Sequence, residues 1–443
     1  MGTLSVDKLV KTSQGASEFT LPAADGTSGQ VMQTDGSGQL SFATVSSDPT
    51  MGGDLSGTAS NAQIVADAVG SSEIAANAVT ASEIAASTIT PAQMANSAFL
   101  ANRNMVINGA MQISQRATSF ATIVSGVKTV DRWYTTKTNA GTWTQTQDAA
   151  TVSTAGFGYS LKMDCTTALG SLAASDRLML SYRLEGFNCQ SLKKGTASAE
   201  SVTISFWVNA TKTGTYVLEM WDHPNSRHIA SLYTVSVTNT WEYKTVTFAG
   251  DTTGALTNNN SKILELHWYL AAGSNYTSGT LATTWAAQAT GNRAVGQVNA
   301  ADSTSNNFYL AGVQMEVGIT ATPFEYKSFA QELQACQRYY EKSYNQGQNP
   351  AGVTTVSDWL IRHPTAGAGA MMVYFKVPKR TTPTMVTYAP GTGNSGKVTN
   401  MSGGSADITG TWISTGEGTA NVYWTSTGSE TYVEGHWTAE AEL

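Results

Sequence analysis

A ten-residue phase near the start of the chain constrains it more than any other feature. Asp67-Ala-Val-Gly-Ser-Ser-Glu-Ile-Ala-Ala is followed by Asn77-Ala-Val-Thr-Ala-Ser-Glu-Ile-Ala-Ala and then by Ser87-Thr-Ile-Thr-Pro-Ala-Gln-Met-Ala-Asn. Glu73, Glu83 and Gln93 align, as do Ile74, Ile84 and Met94, and Val69, Val79 and Ile89; a weaker copy around Ile64 precedes them. Thr80-Ala-Ser-Glu83 and Thr90-Pro-Ala-Gln93 match capping boxes, in which the hydroxyl accepts from the backbone N–H three residues on and the acid or amide reaches back. Pro91 falls at the first helical position, where a missing N–H costs nothing. Each unit reads as one short helical turn and an extended step, and a single turn is unstable alone. Its two aliphatic side chains form a stripe too narrow to stay dry except against copies of itself. Ile64, Val69, Ile74, Val79, Ile84, Ile89 and Met94 are therefore expected to line the core of a homotrimeric stalk, two chains being the alternative.

The rest of the chain predicts a mainly β, elongated trimer. Residues 1–58 read as a thin attachment segment, with a hairpin signal where Asp35-Gly-Ser-Gly38 separates Val31-Met32 from Leu40-Ser-Phe42. Residues 59–100 hold the repeat stalk. Over 101–326, stretches such as Ser201–Val208, Tyr216–Trp221, Trp241–Phe248, Ile263–Trp268 and Phe308–Glu316 alternate apolar and polar with period two, which indicates a jelly-roll β-sandwich. A helix is expected from Ser328 to about Ser343, inside a connecting segment 327–345, with Ser328-Phe-Ala-Gln331 as its capping box. Residues 346–443 read as a smaller C-terminal β-domain.

Several classes are disfavoured. Charged residues are 13% of the chain and its net charge is −7; with no basic run, nucleic acid is not an expected partner. Cys165, Cys189 and Cys336 offer no disulfide framework and no zinc spacing. The five histidines fall into no metal-ligand spacing, and no Gly-x-Ser-x-Gly elbow appears. No catalytic residue, metal or cofactor is expected. No apolar stretch is long enough to cross a bilayer as a helix, and the first residues lack the apolar core of a signal peptide.

Four blocks resemble bacteriophage tail fibre proteins. They are Gly53-Asp-Leu-Ser-Gly57 leading into the repeat; Asn102 to Arg116 with Asp131-Arg-Trp133; Leu310 to Gly318 running through Ala321-Thr-Pro-Phe-Glu325 to Glu332-Leu-Gln-Ala-Cys-Gln-Arg-Tyr-Tyr340; and Pro378 to Thr384 with Ala439-Glu-Ala-Glu-Leu443. Phe206 to Tyr216 and Trp241 to Phe248 also resemble a jelly-roll carbohydrate-binding module. The resemblance implies a trimer, joined to another phage tail protein at its N-terminal end and facing the host at its C-terminal end. It further implies location in the virion tail after synthesis in the host cytoplasm and release by lysis.

A sugar ring offers apolar C–H faces to aromatic rings and hydroxyls to amides and carboxylates. The irregular segment from Ala271 to about Asn299 has that composition, and Tyr276, Trp285 and Asn292 are its candidate binding residues. Trp221 and Asp222 could form a binding edge, and Trp424 and Trp437 a distal receptor surface. Asp131 and Arg132 are expected to pair over the ring of Trp133, and Glu265 and Glu316 to lie on solvated strand faces. The expected function is recognition of a host-surface polysaccharide or another receptor during adsorption. A depolymerase that cleaves such a glycan and a purely structural tail or collar fibre are the alternatives.

Overall fold

The computed structural model describes residues 6–10, 18–45, 48, 50–66, 68–69, 74, 102–149, 156–363, 367–401, 405–426 and 431–443. The chain divides into two compact units, Met1–Thr90 and Pro91–Leu443. Among the described residues, no helix is long and apolar enough to cross a membrane.

The first unit consists of three antiparallel pairs. β1 (Lys8–Val10) pairs with β2 (Glu18–Thr20), β3 (Gln30–Thr34) with β4 (Leu40–Thr44), and β5 (Leu55–Thr58) with β6 (Asn61–Ile64). The β3–β4 turn forms because Gly36 and Gly38 take the left-handed conformation (φ 84° and 96°) and the Asp35 carboxylate accepts from the N–H groups of Ser37 and Gln39. None of the unit's described side chains is buried. Leu9, Val31, Met32, Leu55, Ile64, Val69 and Ile74 are all exposed, Ile64 to 64%. Ile64 is not in a helical turn: it sits on β6, opposite Leu55, so the expected division after residue 58 falls inside a hairpin. Val79, Ile84, Ile89 and Met94 lie outside the described residues.

The second unit opens with a β-sandwich. Its strands are β7 (Ser119–Phe120), β8 (Trp133–Thr138), β9 (Thr142–Asp148), β10 (Ser160–Thr167), β11 (Arg177–Glu185), β12 (Val202–Ala210), β13 (Gly214–Asp222), β14 (Arg227–Val235), β15 (Glu242–Phe248), β16 (Lys262–Ala272), β17 (Ala286–Ala287) and β18 (Asn307–Val317). They form two antiparallel sheets, β15-β12-β18-β10-β9-β7 and β17-β14-β13-β16-β11-β8. Alternation decides what each buries. Val202, Ile204, Phe206, Val208 and Ala210 of β12 face Tyr216, Leu218 and Met220 of β13 and Leu266, Trp268 and Leu270 of β16 in one core. Trp268 is fully buried, 5.4 Å from the ring of Trp133 and edge-on to Phe206 at 5.7 Å. Its truncation to Ala would cost about 3–5 kcal/mol.

After the sandwich, Ser328 caps the helix Phe329–Gln337 with both halves of a capping box. The helix ends six residues before the expected Ser343, because Tyr340–Lys342 (β19) pairs with the last strand of the chain. The C-terminal strands are β20 (Trp359–His363), β21 (Gly367–Tyr374), β22 (Thr384–Tyr388), β23 (Lys397–Asn400), β24 (Ala406–Thr409), β25 (Thr411–Thr415), β26 (Thr419–Ser426) and β27 (Thr431–Glu440). β27 organises them: its first half pairs with β20 and β23, its second half with β22 and β19. β21-β26-β25 form a separate three-stranded sheet.

A buried ionic junction ties this region to the sandwich. Arg116 bonds Glu440 at 2.7 Å, Glu442 at 3.3 Å and Asp131 at 3.2 Å. Arg132 pairs with Glu442, and its guanidinium lies 3.5 Å over the ring of Tyr339. Asp131 and Arg132 therefore do not pair with each other; each takes a partner remote in sequence. Trp133 is buried and donates its indole N–H to the carbonyl of Asn108 at 3.2 Å. The network joins residues from three of the blocks singled out in the sequence.

Candidate functional site

The segment from Gly273 to Asn299 folds back over the outer face of the β17-β14-β13-β16-β11-β8 sheet, where it is held rather than open. Its Arg293 donates to the buried Glu219 of β13 through Nε at 2.9 Å and Nη2 at 2.8 Å. The same carboxylate accepts from the Nδ1 atoms of His228 at 2.8 Å and His267 at 2.9 Å, and from the Tyr269 hydroxyl at 3.1 Å. Burial alone would raise the Glu219 pKa, but the Arg293 charge and these hydrogen bonds outweigh it and hold the group well below the usual carboxylate range. Burial likewise opposes charge on His267, yet the charge of Glu265 and the bond to Glu219 raise it. Glu265 and Glu316 are both buried, not solvated. Glu265 pairs with Arg183 and Lys262, each at 3.2 Å, and Glu316 accepts from Gln314 at 2.9 Å and the Thr322 hydroxyl at 2.6 Å.

The seven candidates from the sequence take other roles. Tyr276 is buried beneath Arg177. Asn292 accepts from the Thr280 N–H at 3.0 Å, which closes its own loop. Trp221 is sandwiched between Arg293 at 4.5 Å and His223 at 4.7 Å. Asp222 is fully buried and ion-paired to Lys194, which also meets Asp251 at 2.9 Å. Trp285 covers that Lys194 at 4.8 Å and donates its N–H to the Ala249 carbonyl at 2.7 Å. Trp424, 1% exposed, stacks on Trp359 at 5.1 Å, and Trp437 donates to Asp358 at 2.6 Å in the same core. Tyr276, Asp222, Trp424 and Trp437 are buried, whereas Trp221, Trp285 and Asn292 are half-buried and already engaged by neighbouring groups.

Aromatic side chains, two of them exposed, gather elsewhere, around the buried Phe157 on the outer face of the β15-β12-β18-β10-β9-β7 sheet. Trp207 of β12 stands opposite Tyr243 of β15, ring to ring at 5.4 Å. Phe157, Phe324 and Tyr326 form a facing wall, with Phe157 edge-on to Phe324 at 4.9 Å and stacked on Tyr326 at 5.5 Å. Together with Ser205, Gly312 and Pro323 they enclose a cleft of about 410 Å³, within the usual range for small-ligand sites. Tyr243 is 45% and Tyr326 56% exposed. Gly312 makes the wall possible. It has φ +58°, beside a register shift in the β12–β18 pairing, and a Cβ there would lie 2.3 Å from the Phe157 ring.

Polar groups continue along this face. Tyr309 of β18 pairs in register with Asn209 of β12 and Lys162 of β10, and lies 6.1 Å from the ring of Trp241. The amide oxygens of Asn209 and Asn307 are buried with no hydrogen-bond donor among the described residues. An unsatisfied buried acceptor is costly unless a water or ligand reaches it. Stacking planes beside polar amides are the combination expected of the segment from Ala271 to about Asn299. A signal for it exists in the sequence. Alternation that sends Phe206, Val246 and Phe248 inward must send Trp207, Trp241 and Tyr243 outward. Among the described residues, no group of three or more His, Cys, Asp and Glu side chains is placed to hold a metal ion.

No protein-family model and no curated protein matches the sequence. Among solved structures, the chain is similar to the enzymatically active domain of tailspike protein 4 of bacteriophage CBA120, at 11% identity and a TM-score of 0.26, over 48% of this chain and 21% of that one. It is also similar to the family 11 carbohydrate-binding module from Clostridium thermocellum, in complex with a β-1,3-1,4-mixed-linked tetrasaccharide, at 11% identity and a TM-score of 0.23, over 46% of this chain and 98% of the module. A third similarity is to the N-terminal cellulose-binding domain of Cellulomonas fimi β-1,4-glucanase C, at 13% identity and a TM-score of 0.24, over 47% of this chain and 100% of that domain.

Proposed function

We propose that this chain is a glycan-binding tail fibre of a bacteriophage and not an enzyme. In this reading the N-terminal unit joins another tail protein and associates with its own copies as a homotrimer. The sandwich grips a polysaccharide of the host surface. The protein resides in the virion tail, reached after synthesis in the host cytoplasm and lysis. One observation carries the glycan assignment: the cleft walled by Trp207, Tyr243, Phe157, Phe324 and Tyr326 on the outer face of the sheet. Aromatic rings fixed in a half-exposed wall stack on a sugar at little entropic cost, because they are already ordered by each other. Among the described residues no carboxylate lines the cleft, and acid–base cleavage of a glycosidic bond calls for a pair of them.

The test is retention of the purified chain by host-surface polysaccharide in affinity electrophoresis. Trp207→Ala or Tyr243→Ala should each weaken binding by about 2 kcal/mol, roughly 30-fold, as loss of a central aromatic anchor does. Unchanged retention of both variants, with folding intact, would rule out this cleft.

A further inference from the structure

A second cavity, of about 570 Å³, has Arg103, Glu316, Lys327, Asn188 and Ser191 in its lining. Arg103 donates through Nη2 to the carbonyl of Pro323 at 2.7 Å, and Pro323 lines the aromatic cleft; this contact separates the two spaces. The Arg103 Nε is buried with no hydrogen-bond acceptor, and its nearest carboxylate, Glu316, stands 3.8 Å away. Glu316 already accepts from Gln314, the Thr322 N–H and the Thr322 hydroxyl. Lys327, the second cation of the cavity, makes a long contact of 3.4 Å to the Asn104 carbonyl and lies within electrostatic reach of Glu332. The Arg103 guanidinium and the Lys327 ammonium line one cavity, and such a pair of cations is suited to a carboxylate. Asn188 and Ser191 are exposed at the rim and offer hydroxyl partners, while Met105, Ile107 and Val317 supply an apolar floor. The cavity is far larger than an inorganic anion needs.

We infer that this cavity binds a carboxylated sugar, with the carboxylate between Arg103 and Lys327 and the ring hydroxyls on Asn188 and Ser191. The site is distinct from the aromatic cleft and stands without it. Isothermal titration of the full chain with sodium glucuronate should give saturable binding, whereas glucose, which lacks the carboxylate, should not bind. Lys327→Met should weaken glucuronate binding about tenfold or more, the effect of losing a hydrogen bond to a charged group. Asn188→Ala should weaken it less, and serves if Lys327→Met does not fold. Tyr243→Ala should leave it unchanged. No saturable binding, equal binding of glucose or of inorganic phosphate, or loss of binding in Tyr243→Ala would each overturn the inference.

Discussion

At Gly312 a missing side chain shapes the cleft. The Phe157 ring occupies the space where a Cβ would stand, and the residue's left-handed backbone already favours glycine. Gly312→Ala should therefore destabilise the sandwich by about 1–3 kcal/mol through backbone strain and the clash. It should also weaken glycan binding by displacing Phe157, and denaturant unfolding with affinity electrophoresis reads both effects. Little of this was legible in the sequence. Alternation identifies Trp207 and Tyr243 as outward, but it does not tell a covered outer face from an open one. That depends on Phe157, Phe324 and Tyr326, which come from loops on either side of the strands they meet. The composition of the segment from Ala271 to about Asn299 does not show what packs against it, for a related reason. Arg177 and Lys194, which cover Tyr276 and meet Trp285, lie about a hundred residues away.

At the scale of elements, the strands were the most legible part, because period-two burial is written locally. The start of the helix was legible in the Ser328 capping box; its end was not, since β27 recruits Tyr340–Lys342 as a strand. The 273–299 segment depends on one buried carboxylate, and its energetics are testable. Glu219→Gln leaves Arg293 and two histidines without their anion and should cost about 3–5 kcal/mol. The pH dependence has a definite sign. The folded-state pKa of Glu219 is depressed, so its contribution is present above the unfolded value, about 4.3, and is lost as pH falls through the depressed one. His267 is raised, so its contribution is present below about 6.5 and is lost as pH rises through the raised value. Denaturant unfolding from pH 2 to 8 should show the wild type losing stability on the acid side and Glu219→Gln losing much less. Parallel acid limbs would contradict this assignment.

At the scale of the molecule, the two units differ in how they keep apolar groups dry. The second buries a continuous core between its sheets and joins its C-terminal strands to it through Arg116, Arg132, Glu440 and Glu442. The described part of the first buries nothing, leaving Leu9, Val31, Met32, Leu55 and Ile64 exposed in a single chain. Two-stranded hairpins without a core are marginal in water, which is the physical case for self-association. Sedimentation equilibrium of the intact chain should give three times the 46.7 kDa chain mass, and Ile74→Asp with Ile84→Asp should shift it toward monomer. A stable wild-type monomer would contradict the trimer.

The most direct test of glycan recognition by the sandwich is a crystal structure with a bound oligosaccharide from the host surface. The account predicts a sugar ring stacked on Trp207 and Tyr243 in the cleft. A sugar seated on the 273–299 segment or on the C-terminal strands, with the cleft empty, would contradict it.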